Sequence, residues 1–296
     1  MSLLVVGSVA FDTIHNHLGY HPRIVGGAAT YASLSASRLA PVRLVGVVGK
    51  DFPSETIDML RARSIDTEGL EIAQGETFHW EGRYADDLTS RETIRTDLNV
   101  FADFQPKIPD SFVDSEYVML GNIAPELQLH VLDQVRSPQL VVADTMNLWI
   151  DTALDALKEL MTRIDILVIN EEEARQLSGF HHPIAVAEGL RALGPQTVIV
   201  KRGEYGALLF VNEEIFCAPA YPLKNVADPT GAGDSFAGGF LGYLAQSETE
   251  DLRQAVICGS ATASFCVQDV GIDALVDLSR EDLDARIADF RRLTHF

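Results

Sequence analysis

Short apolar runs recur along the chain with helical stretches between them, and this alternation limits the possible folds more than any other feature. The runs are Leu3–Val9, Val42–Val48, Tyr117–Leu120, Leu140–Ala143, Ile164–Ile169, Thr197–Val200 and Ala207–Val211. They are rich in Val, Ile and Leu and lack polar alternation, as strands covered on both faces do. Helical patterns occupy about 28–39, 53–63, 126–135, 151–162, 183–193, 234–245, 250–266 and 279–291. The alternation predicts an α/β fold, a mostly parallel sheet with helices on both faces. No repeat, low-complexity tract or linker divides the 296 residues, so one domain over 1–296 is expected.

Two segments break the rhythm, 11–25 and about 70–104, both polar, threonine-rich and aromatic. In 77–84, Phe78, Trp80, Gly82 and Tyr84 alternate with polar residues, the pattern of a half-exposed strand. Together the segments predict a small β-sheet lid on the α/β body, with edge hairpins as the plainer alternative.

Composition narrows the function classes. A net charge of −20 disfavours nucleic-acid binding, which needs a basic surface. No stretch reaches the roughly 18–20 apolar residues of a membrane helix. The opening MSLLVVGSVAFD lacks a basic n-region and reads as a buried strand. Cys217, Cys258 and Cys266 form no CxxC pair, which fits a reducing cytoplasm. His181-His182 precedes Pro183 and reads as a loop, and no histidine has zinc-ligand spacing.

The most informative stretch runs from Asp228 to Phe240, DPTGAGDSFAGGF. Gly231 and Gly233 permit a tight turn with no side chain over it. The amides of Gly231, Ala232 and Gly233 would then face outward at a helix N-terminus, a place that attracts anions. Asp234 shares that spot. A bare anion site does not want a carboxylate, but a phosphoryl-transfer site does: the amides hold migrating charge while the carboxylate takes a proton. A plain N-cap role for Asp234 also fits. The third glycine of GxGxxG is missing, and Gly46–Lys50 has the wrong spacing for a P-loop.

Residues 228–240 resemble the D-x-x-G-A-G-D signature of the ribokinase-like (PfkB) carbohydrate kinases. Further matches follow in the family's order: Asp12 after the first strand, Gly26-Gly27 before a small-residue helix, Asn170–Glu173 as N-x-x-E, Lys201–Gly206, and Ser264–Gly271. The resemblance implies a ribokinase-like fold and an ATP-dependent kinase acting with Mg²⁺. It makes Asp234 the catalytic base and Gly231, Ala232 and Gly233 the anion hole. Asp12, Gly26, Gly27 and Tyr31 would bind substrate; Asn170, Lys201, Gly203, Gly206 and Ser260 would bind ATP. Glu173 would act on Mg²⁺ through water, since Mg²⁺ gives up its water shell reluctantly; a capping box is its alternative role. Asp228 and Thr230 stand where some members hold a monovalent cation such as K⁺.

One departure concerns the acceptor. Tyr31 occupies a position where the family often has Asn, which puts a standard ribose or fructose site in doubt. Trp80 and Trp149 are aromatic candidates for stacking, or plain packing. Among Ser8–Asp12, Gly26–Tyr31 and Thr77–Tyr84 only Arg83 is basic, and alternation turns it away from Phe78, Trp80 and Tyr84. A neutral small-molecule acceptor is therefore expected: a sugar, a cyclitol, or the ribose of a nucleoside stacked on Phe78 and Trp80. A non-catalytic sugar and ATP sensor is the rival from another class. A homodimer through the lid is the expected assembly, with neither membrane nor nucleic acid as partner.

Overall fold

A computed structural model describes residues 1–88, 90–247 and 251–295. In chain order the strands are β1 (Leu3–Val6), β2 (Ala10–Asn16), β3 (Gly19–Gly26), β4 (Val42–Val48), β5 (Ile65–Ile72), β6 (Phe78–Tyr84), β7 (Arg91–Asp97), β8 (Tyr117–Leu120), β9 (Leu140–Asp144), β10 (Ile166–Asn170), β11 (Thr197–Lys201), β12 (Ala207–Val211) and β13 (Glu214–Ala218). The helices are α1 (Ala28–Ala36), α2 (Ser54–Ala62), α3 (Pro125–Leu132), α4 (Asn147–Thr152), α5 (Leu154–Met161), α6 (Glu171–Ser178), α7 (Pro183–Arg191), α8 (Ala232–Gln246), α9 (Leu252–Cys266), α10 (Asp273–Asp277) and α11 (Arg280–Thr294).

The large sheet has the order β13-β12-β11-β10-β9-β8-β1-β4-β5. It is parallel from β5 to β11, and β12 and β13 add an antiparallel margin. Its two faces carry separate cores. Leu3 and Val5 pack with Leu34, Phe240, Val256 and Phe290 from α1, α8, α9 and α11. Leu4 and Val6 pack with Leu157, Leu160, Ala174 and Val186 from α5, α6 and α7. Adjacent residues of β1 are thus buried on opposite sides, which is why the strand shows no polar alternation.

The edge strands β5 and β13 were not among the expected runs. Residues of β5 alternate between buried and exposed, and β13 is largely exposed, so neither makes a continuous apolar run. The expected helix over 151–162 is two helices, because Ala153 leaves helical geometry at φ −138°. Glu250, expected to open the helix that becomes α9, lies outside the described residues. No helix among the described residues is long and apolar enough to cross a membrane.

The second, smaller sheet has the order β3-β2-β6-β7. Its four strands follow the two segments that broke the sequence rhythm, with β2 and β3 overrunning 11–25 by one residue at either end, although the last residues of β5 pair with β4. Parallel pairing of β2 with β6 sets Asp12 beside Trp80. Antiparallel pairing of β6 with β7 sets Tyr84 beside Arg91.

Close helix packing fixes the start of α8. A Cβ on Gly238 would stand 2.2 Å from the Ala32 carbonyl oxygen, and one on Gly239 would stand 2.1 Å from Thr262 Oγ1. Only glycine lets α8 lie this close to α1 and α9. The start of α8 therefore sits beside the C-terminal ends of the parallel strands, where open α/β sheets bind ligands.

Candidate active site

Gly231 caps α8 in the left-handed region, at φ 75°. The ring of Tyr31 lies against it, so a Cβ there would meet ring atoms at 2.4 Å. Asp234 is the third residue of the helix and does not cap it. Its carboxylate is half-buried, yet desolvation and the nearby Asp144 push its pKa up to about 7, against the opposing pull of Lys201 and Arg91. The Ala232 amide already donates to the Pro229 carbonyl at 3.2 Å. Among the described residues the amides of Gly231 and Gly233 make no such turn bond, so they are the freer donors. The start of α1 offers no equivalent, because Ser8 accepts from Ala28 and Ala29 there.

The preceding turn is braced by Asp228. Its Oδ1 accepts from the Thr230 amide at 3.0 Å and the Thr230 hydroxyl at 2.8 Å. Since that hydroxyl gives its proton to Asp228, Tyr84 must be the donor in its 2.9 Å contact with Thr230 Oγ1. Asp228 Oδ2 is buried and makes no close hydrogen bond among the described residues, although the Gly271 amide is near enough to favour the charged carboxylate. Desolvation raises the pKa of this carboxyl despite the Thr230 bonds.

Three neighbouring strand ends face α8. Asp144 closes β9, Asn170 closes β10, and Lys201 closes β11 in register with Asn170. Lys201 Nζ donates to Asp144 Oδ2 at 2.8 Å. A Cβ on Gly233 would stand 2.8 Å from the same Nζ. Desolvation disfavours the ammonium, but Asp144, Glu173 and Asp234 outweigh it and hold the pKa above the ordinary lysine value. Asn170 and Glu173 form the capping box: Asn170 Oδ1 accepts from the Glu173 amide at 2.8 Å, and Glu173 Oε2 accepts from the Asn170 amide at 3.2 Å. Burial, then Asp144, lifts the Glu173 pKa to about 7, against Lys201.

On the opposite side, Asp12 lies against Gly26, where a Cβ would meet its Oδ2 at 1.9 Å. Gly27 sits at φ 95°, and a Cβ there would meet the Ser8 carbonyl oxygen at 2.5 Å. The glycine pair thus serves two ends: one member makes room for a carboxylate, the other makes the turn. Burial, with Asp228 and Asp234 nearby, raises the Asp12 pKa to about 7. The bond from Tyr84 to Thr230 shows which face of the small sheet looks toward α8. Register places Arg91 on that face, with its guanidinium 5.6 Å from the Trp80 ring centroid.

The chain matches the pfkB family carbohydrate kinases over residues 2–277. The chain belongs to that family. It is 32% identical over 249 residues to a cytidine kinase of Thermococcus kodakarensis, covering 82% of this chain and 88% of the relative. A nucleoside kinase of Methanothermobacter thermautotrophicus is 28% identical over 302 residues, with 91% and 90% covered. The crystal structure of Methanocaldococcus jannaschii nucleoside kinase, an archaeal member of the ribokinase family, superposes with a TM-score of 0.80 over 97% of this chain and 98% of that one, at 22% identity. This pfkB-family protein is accordingly an ATP-dependent phosphotransferase with the ribokinase-like fold.

The kinase's fold gathers Asp12, Asp228, Thr230, Gly231, Gly233, Asp234, Glu173, Asn170 and Lys201 around the start of α8. Several expectations need correction. Tyr31 is 1% exposed and its ring packs under the glycine turn, while its buried hydroxyl makes no hydrogen bond among the described residues and feels Asp12, Asp228 and Asp234. Ala232 contributes an amide that is already shared. Ser260 is buried within α9, and no described contact joins it to the Lys201 turn. Gly203 and Gly206 serve the backbone of that turn, both at positive φ. Arg83 is the one basic residue in the three segments expected to form the acceptor side, but Arg91, from outside them, reaches that side. Its strand lies beyond the segment 77–84 that was considered, and only the β6–β7 register reveals it. Trp149 is structural: its Nε1 donates to Asn122 Oδ1 at 2.8 Å. Asp144 is the functional candidate that the sequence patterns did not single out.

Proposed function

We propose that this kinase moves the γ-phosphoryl group of ATP to a ribose hydroxyl of a nucleoside, with Asp234 as general base. The observation that carries the acceptor class is the pairing of Asp12 with Trp80. It sets a carboxylate suited to a sugar's hydroxyls beside a half-buried aromatic ring suited to a base. The similarity to a cytidine kinase and a nucleoside kinase supports the same class. In the reaction the acceptor oxygen bonds to the γ-phosphorus and its proton passes to Asp234. The bond from that phosphorus to the β–γ bridging oxygen breaks, and its electron pair leaves with ADP. The amides of Gly231 and Gly233 hold the charge of the group in transit, Asn170 contacts phosphate, and Asp12 holds the acceptor. The small sheet acts as a lid that excludes water, the competing acceptor.

Among the described residues no three acidic, His or Cys side chains converge as a direct metal cage. Glu173 keeps one oxygen outside its capping box, which suits Mg²⁺ that arrives on ATP and keeps its water shell. Bound there, Mg²⁺ would neutralise phosphate charge. The buried Asp228 Oδ2, with the Thr230 carbonyl, fits a monovalent cation such as K⁺.

The test is ADP release across cytidine, adenosine, inosine, ribose, fructose and inositol, with products identified by phosphorus NMR. Nucleosides should give a kcat/KM roughly 100-fold above the free sugars, the advantage of a filled base subsite. A free sugar at the top of the ranking would overturn the nucleoside assignment. Arg91 favours a second reading, an acceptor that carries an anionic group. Matched pairs such as fructose and fructose 6-phosphate decide it, and a consistent preference for the charged member would establish it.

A further inference from the structure

Asp144 is buried, and both of its carboxylate oxygens are committed. Oδ1 accepts from the Thr145 amide at 2.8 Å, and Oδ2 meets Lys201 Nζ at 2.8 Å. Its backbone is anchored too. Gln128 Nε2 donates to the Asp144 carbonyl at 3.1 Å and to the Leu120 and Gly121 carbonyls at 3.3 and 2.9 Å. Gln128 thereby ties the ends of β8 and β9 together beneath the site. Lys201 comes from β11, two strands away, and reaches across the end of β10 to make this bond.

The side chains of the pair are 16% and 7% exposed. An ion pair this deep is a poor source of stability, because desolvation of both charges offsets their attraction. Position is what it secures. Asp144 accepts a hydrogen bond from one of the three ammonium protons, and the nitrogen lies over Gly233, 2.8 Å from where a Cβ would stand. Glu173 and Asp234 also act on the ammonium, and neither is bonded to it among the described residues. Two donors remain for an anion held at the start of α8.

We infer that Lys201 contacts the phosphoryl group in transit, and that Asp144 is a positioning residue that holds Lys201 there. The inference rests on the kinase reading above. A full charge is added to the amide dipoles, in a site that is largely dry. The charge balance favours it. Asp234 becomes neutral as it takes the acceptor's proton, so Lys201 loses one competing carboxylate while the phosphoryl group crosses.

The experiment is a double-mutant cycle on kcat and on KM for ATP and acceptor, using the best acceptor from the panel. Lys201→Met should lower kcat by about 10²–10³, as loss of one oxyanion donor does. The acceptor KM should stay within roughly threefold, since ground-state binding is not touched. Asp144→Asn, which leaves the lysine present but loosely held, should lower kcat by about 10–10². In the Lys201→Met background, Asp144→Asn should cost nothing further. Multiplying effects in the double variant, or wild-type kcat in Lys201→Met, would overturn the inference. Should Asp144→Asn fail to fold, binding decides: Lys201→Met should bind ADP normally and lose the extra affinity that aluminium fluoride gives the wild type. Unchanged aluminium fluoride enhancement would overturn it. Asp234→Asn separates the two claims. If that variant turns over normally, the base assignment fails; if it is inactive while Lys201→Met is active, only the Lys201 inference fails.

Discussion

Asp234, the proposed general base, is buried enough for its carboxyl to hold a proton well above the ordinary range. Its pKa of about 7 lies far above the ordinary 3.8, because burial and Asp144 disfavour the charge more than Lys201 and Arg91 favour it. A base must be deprotonated to act, so turnover should rise with pH through an apparent pKa near 7. Asp12, raised to about 7 in part by Asp234, is coupled to it, and burial with Asp144 raises Glu173 to about 7 as well. Asp234→Asn should lower kcat by about 10²–10⁴ while ATP binding, followed by calorimetry, survives. Near-normal turnover would remove Asp234 from the mechanism. The same shift bears on stability. Folded Asp234 keeps its proton up to about 7, whereas the unfolded chain releases it near 3.8, so between these values the folded state binds more protons. Stability must then fall as pH rises through that window. Urea midpoints measured across it should decline less for Asp234→Asn than for the wild type.

At the scale of elements, α6 and the small sheet make separate contributions. The capping box on α6 is formed, and one Glu173 oxygen stays outside it, which leaves room for the proposed metal-linked role beside the structural one. Gln also serves at the third position of such a box. Glu173→Gln should therefore leave the melting temperature nearly unchanged, yet raise the Mg²⁺ concentration for half-maximal rate. A lowered melting temperature with unaltered Mg²⁺ dependence would leave only the capping role. In the small sheet, Arg91 acts electrostatically on Asp12, Glu173 and Asp234, although it stands on the outermost strand. Arg91→Gln should raise the acceptor KM severalfold and move the acid limb of the pH profile upward, because a cation near all three carboxylates is lost. An unmoved profile would mean that Arg91 points to solvent during turnover.

For the molecule as a whole, the net charge of −20 matters beyond the site. Self-repulsion of that size weakens the compact state, and salt screens it. Raising NaCl from about 10 to about 150 mM should raise the melting temperature. A fall would mean that the surface ion pairs, such as Arg163–Asp133 at 2.7 Å, outweigh the general repulsion.

The sequence by itself determined the layered α/β plan and the glycine turn that opens α8. Both are local: short unbroken Val, Ile and Leu runs favour strands covered on two faces, and Gly-Ala-Gly-Asp favours a tight turn into a helix. The edge strands β5 and β13 escaped because half-solvated strands do not make such runs. Only the tertiary structure decided the partners. Tyr31 reads equally as a hydrogen-bonding phenol or a packed helix residue until its ring is seen under Gly231. Arg91 carries no local signal, and only the β6–β7 register sets it opposite Tyr84. Asp144 and Lys201 are 57 residues apart, and no local pattern joins them. They meet because parallel strands bring residues distant in the chain to one edge of a sheet, where a charge crosses from one strand end to the next.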